Sequence, residues 1–183
     1  MNLDNVLSPR GPQLIAPAGA RMVYGSLAVA FLLGLLPWPA GWRWLVPDFT
    51  FVVMLYWNIH SPHRAGVGLA CGLGLLTDMA YGTLLGLNGL LYVFAAFAAL
   101  SVRRRLENFA PPGQALQLAP IFLGKELALL LLGLAVGQAA VDWWYLAAGP
   151  VAALLWLPTC LLLHRLAGRP AAAPAATAPQ PQR

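Results

Sequence analysis

Long apolar stretches broken by arginines on every second connection limit the fold of this chain more than any other feature. Read as six apolar segments, the sequence places nine of its 11 Lys and Arg residues on one side of a membrane. These are Arg10, Arg21, Arg64, Arg103, Arg104, Arg105, Arg165, Arg169 and Arg183. Arg43 falls in a loop on the opposite side, and Lys125 lies inside a segment. Basic loop residues stay on the cytoplasmic side, so spans and orientation follow together. We expect an all-α inner-membrane protein of six transmembrane helices with both termini in the cytoplasm.

A chain that is 60% hydrophobic and 9% charged is not an ordinary soluble domain. Its net charge of +5 sits at segment ends rather than along one helix face, so a nucleic-acid partner is not expected. Cys71 and Cys160 lie inside apolar segments near the reducing face, where they read as small packing residues and not as a disulfide.

Residues 1–21 form a cytoplasmic N-terminal segment. Residues 35–39 offer no small-residue cleavage pattern, so the first helix reads as uncleaved. The spans are placed at 22–36, 48–59, 65–81, 84–102, 116–141 and 145–166, a transmembrane domain over 22–166. Residues 167–183 are Ala/Pro-rich and are expected to be a disordered cytoplasmic tail. The second span reaches only about 18 Å at the helical rise, so it leans on residues 45–47 or on local thinning of the bilayer. Pro47 suits a helix start, and Asp48 suits its cap. Trp38, Trp42, Trp44, Trp143, Trp144 and Tyr145 would form an outer aromatic belt, with Tyr56 and Trp57 in the inner one. The longest loop, 103–115, is too short to fold on its own. Recognition therefore belongs to the helices and their rims.

The third span carries Gly66, Ala70, Gly74, Asp78, Gly82 and Gly86 at four-residue spacing. Such positions form a ridge that drifts about 40° per step. Small side chains there admit a neighbouring backbone, and close packing is a main source of helix association in lipid. Gly82 and Gly86 fall in or past the turn, where glycine supplies backbone freedom. The ridge reads either as packing within this chain or as a seam for a second protein. Asp78 lies about one turn from the outer surface. A charge there costs less than the roughly 2.5–3.5 kcal/mol of mid-bilayer, and a helix terminus or Asn88 could partner it. Together Asp48, Asp78 and Asn88 put polar groups at the outer ends of helices two to four.

Lys125 and Glu126 fall about two turns into the fifth span from the cytoplasmic side. Adjacent residues point about 100° apart, so Lys125 is expected to snorkel to the cytoplasmic surface while Glu126 faces protein or water. Arg103, Arg104 and Arg105 determine topology and can hold anionic lipids at about 1 kcal/mol each. His60 and His63 lack a third ligand nearby, so no metal is expected. No H-E-x-x-H, G-x-S-x-G or P-loop occurs. Neither a cofactor nor an enzymatic activity is expected.

One stretch is specific. Pro47 and Asp48 open a short helix, followed by Tyr56-Trp57, Pro62-His63-Arg64 and Gly72-Leu73-Gly74-Leu75-Leu76-Thr77-Asp78. Tyr81-Gly82, Leu85-Gly86 and Leu90-Leu91-Tyr92 continue it. With these residues the chain, over roughly 22–166, resembles the rod shape-determining MreD family. Asn88 stands where a Gln or His would be expected, and the fifth and sixth helices match only in hydrophobicity.

The resemblance implies a non-enzymatic membrane component of the cell-elongation machinery that helps organise peptidoglycan synthesis. It implies as partners the bitopic protein MreC, the actin-like MreB filament, the glycosyltransferase RodA and a class B penicillin-binding transpeptidase. The arrangement also looks like the six-helix substrate-binding subunits of energy-coupling-factor transporters, a likeness of fold alone. The first reading is thus a hub that offers helices two to four to the membrane helix of MreC. The second is a small-molecule-binding subunit of a transporter, which needs a cavity of several hundred Å³. An intramembrane enzyme would have to work through Asp48 or Asp78.

Overall fold

A computed structural model describes residues 19–39, 45–106, 109–135 and 146–167. Among them the chain is wholly helical: α1 (Ala20–Gly34), α2 (Phe49–His60), α3 (Val67–Tyr81), α4 (Leu87–Leu106), α5 (Pro111–Ala135) and α6 (Ala148–Leu166). Residues 1–18 and 168–183 lie outside the described residues, as do Trp42, Trp44, Trp143, Trp144 and Tyr145.

The short second helix is the centre of the bundle. Nine of the 12 residues of α2 are buried, from Thr50 to Ile59, as expected for a helix that is apolar all round. Phe51 packs on Tyr92 of α4 and Phe122 of α5, at centroid distances of 5.1 and 5.9 Å. Tyr56 meets Trp156 of α6 at 6.2 Å. Trp57 donates from Nε1 to Ser26 Oγ of α1 at 2.8 Å. A helix enclosed in this way need not span a bilayer by itself.

Side-chain contacts align the helix ends. The Trp57–Ser26 bond sets the first half of α1 beside the last turn of α2. The rings of His60 and His164, 5.0 Å apart, bring the ends of α2 and α6 together. Gln114 Nε2 donates to the Leu106 carbonyl at 3.1 Å and joins α4 to α5. Arg21, Arg64, Arg103, Arg104, Arg105 and Arg165 consequently share one end of the bundle. At the other end, Tyr81 donates its hydroxyl to the Gly34 carbonyl at 2.8 Å, and Trp38 stacks on Phe49.

By length and apolarity, α5 and α6 are each able to cross a membrane. The helices α1, α2 and α3 are apolar but run 15, 12 and 15 residues. α4 has 20 residues and closes on three arginines. The fifth helix begins earlier than the sequence suggests. Pro111 and Pro112 form its first turn, where a missing N–H costs nothing. Pro120 in α5 and Pro158 in α6 each remove one internal hydrogen bond.

Candidate functional site

The polar residues singled out in the sequence form two adjoining clusters at the non-arginine end of the bundle. The first is built on Asp48. Its Oδ1 accepts from the Phe51 amide at 3.0 Å and so caps α2. Its Oδ2 accepts from the Tyr92 hydroxyl of α4 and from Lys125 Nζ of α5, the latter at 3.1 Å. Lys125 Nζ also lies 3.1 Å from Glu126 Oε1 and 5.4 Å from the centre of the Phe51 ring. The side chains of Lys125, Glu126 and Asp48 keep 7, 10 and 17% of their exposure. One ammonium, two carboxylates and a phenol therefore tie α2, α4 and α5 together away from solvent.

This position corrects the reading of Lys125. Because α5 starts at Pro111, Lys125 stands about 21 Å along the helix at 1.5 Å per residue, too far from the arginine end to snorkel there. Its amine turns to the head of α2 instead. The divergence expected of adjacent helical residues is overcome by the length of the lysine stem, which returns to Glu126.

The second cluster holds the α3–α4 hairpin. Asp78 Oδ1 accepts from Thr83 Oγ1 at 2.8 Å, from the Asn88 amide at 3.0 Å and from Asn88 Nδ2 at 2.9 Å. Its Oδ2 accepts from the amides of Gly86 and Gly89, at 2.9 and 3.3 Å. A carboxylate from the end of α3 thus caps the start of α4 and neutralises free amides that lipid could not. Gly82 and Gly86 make the turn possible, with φ of 64° and 95°. Thr77 Oγ1 stands 3.5 Å from the Tyr92 hydroxyl and links this cluster to the first.

The glycine ridge divides. Ala70, Gly74 and Asp78 are buried inside the chain's own bundle. A Cβ on Gly74 would fall 2.5 Å from Gly89 Cα and 2.6 Å from the Asn88 carbonyl oxygen, so two backbones touch there. A partner cannot use that surface while the hairpin is closed. Gly66 precedes α3 as its N-cap residue. The open glycines lie elsewhere: a Cβ on Gly68 or Gly72 would meet nothing within 4 Å. They sit on the same outer face of α3 as Leu76 and Met79, which are 50 and 71% exposed.

Sequence reasoning missed Tyr92 as a member of the site, although its place one turn after Asn88 puts it on the same face of α4. It also missed that Lys125 and Asp48 meet. At the arginine end, His60 stacks on Tyr56 at 4.2 Å and His63 is exposed, so the H-x-x-H pair does not converge. An apolar crevice of about 360 Å³ is lined by Trp38, Pro39, Leu45, Val46, Pro47 and Phe49. Asp48, Tyr92 and Lys125 are not in its wall.

The family described as rod shape-determining protein MreD matches residues 19–166. The chain is 27% identical over 144 residues to a rod shape-determining protein MreD of Haemophilus influenzae. That alignment covers 79% of this chain and 89% of the relative. No solved structure matches, and the likeness to energy-coupling-factor subunits stays an expectation from sequence.

Proposed function

This chain belongs to the MreD family of rod shape-determining proteins, and on that premise we propose that it is a non-enzymatic scaffold of the wall-elongation complex. The observation that carries the reading is that the family match, 19–166, takes in all six helices. The chain crosses the inner membrane six times in this account, with the arginine end in the cytoplasm. Arg103, Arg104 and Arg105 then meet anionic headgroups. The helices associate with MreC and bring it to RodA and a class B penicillin-binding transpeptidase, with the MreB filament contacted directly or through MreC.

Since Gly74 is committed to Gly89, the outer face of α3 is the surface we assign to MreC. Gly68 and Gly72 leave room there for another backbone, and Leu76 and Met79 supply apolar contact. Gly72→Leu fills open space without disturbing the hairpin. It is expected to weaken co-purification with MreC and to round the cells at unchanged protein abundance. Full association and normal rods in that variant would remove the α3 face from the account. The transporter-subunit reading finds little support, because the crevice at Trp38 is apolar and Asp48, Tyr92 and Lys125 stand outside its wall.

A further inference from the structure

The charges at the head of α2 do not balance. Asp48 is well served: it caps α2 and takes hydrogen bonds from Tyr92 and Lys125. Glu126 sits in the middle of α5, with no helix terminus to neutralise it. Among the described residues its one polar partner is Lys125, through Oε1. The second carboxylate oxygen has no partner among the described residues and is not sealed in, although the side chain as a whole is about nine-tenths buried. One ammonium is thus shared between two carboxylates, leaving one negative charge over at membrane depth, where an unpaired charge is costly.

Glu126 also stands at an edge. Phe122 and Lys125 on one side of it are buried, while Leu123 and Leu127 on the other are 41 and 46% exposed. Resting on the scaffold reading, we propose that this edge of α5 receives a partner's transmembrane helix that carries a cationic side chain, Lys or Arg, at the depth of Glu126. Such a cation is itself costly in lipid, so each side relieves the other, and the match of charge selects the partner and its register.

The test uses the full-length protein in lipid vesicles and three synthetic leucine-alanine helices. They carry at mid-length one arginine, one glutamate, or neither, and association is read by energy transfer. The arginine helix is expected to bind the wild-type protein roughly threefold or more tightly than the neutral helix, with the glutamate helix weakest. Glu126→Gln, which keeps shape and removes charge, is expected to abolish the preference. Equal binding of all three helices by the wild-type protein would overturn the proposal, and this arm needs no variant to fold. An arginine preference that survives Glu126→Gln would overturn it as well. MreC association is read separately through Gly72→Leu, so the scaffold and the cation contact can fail independently.

Discussion

Lys125 and Asp48, 77 positions apart in the chain, meet at 3.1 Å and fasten the middle of the fifth helix to the head of the second. The bond lies among three helices, since Tyr92 of α4 donates to the same carboxylate oxygen. This is how a 12-residue helix can stand at the centre of a membrane bundle. Its Phe51 amide is capped, its capping charge is paired, and its apolar sides are enclosed by neighbouring helices.

Removing the lysine should cost far more than removing the whole charge cluster. Lys125→Met leaves Asp48 and Glu126 buried without a cation, a loss of about 3–5 kcal/mol for a broken buried pair. The triple variant Asp48→Asn, Lys125→Met, Glu126→Gln leaves no net charge and should recover much of that loss. Unfolding of the purified proteins in detergent compares the two.

Gly74 and Gly72 are two residues apart on α3 and should respond in opposite ways to one methyl group. Gly74→Ala drives a Cβ into the backbone of α4 and should destabilise by about 1–3 kcal/mol, the range for an overpacked contact. Gly72→Ala meets open space and should be neutral or slightly stabilising, since alanine is the better helix former. Thermal unfolding of both variants decides it.

Asp78→Asn exchanges an acceptor of five hydrogen bonds for an amide that also presents a donor to them. Losing charge-assisted bonds to the start of α4 should cost about 1.5–3 kcal/mol. The damage should be local: hydrogen exchange of the Gly86, Asn88 and Gly89 amides should speed up, while that of α2 changes little.

The orientation is tested by single cysteines at 103, 104 and 105 in a background where Cys71 and Cys160 are replaced. Membrane-impermeant thiol reagents should leave them unlabelled in intact cells and label them after lysis. Labelling in intact cells would place the arginine end outside.

The helices were legible because their periods, glycines and arginines are local signals. Asp48 reads as a cap, and that contact forms; Asp78 reads as the partner of a helix terminus or of Asn88, and it takes both. The start of α5 was not legible, because Pro111 and Pro112 look like a break when they are in fact a first turn. That shift of five residues put Lys125 too near the arginine end and hid its contact with Asp48. The division of the glycine series, buried at Gly74 and open at Gly72, depends on which face meets α4. Spacing shows that two such faces exist but not which one the neighbour takes.

Cell shape gives the most direct measure of whether the buried tie underlies the scaffold. In cells lacking the endogenous copy, Lys125→Met is expected to yield rounded cells, and the double variant Asp48→Asn, Lys125→Met, which keeps Glu126 and the net charge of the cluster, is expected to restore rods, each at matched membrane abundance. Normal rods with Lys125→Met, or rounding by the double variant at matched abundance, would contradict the account.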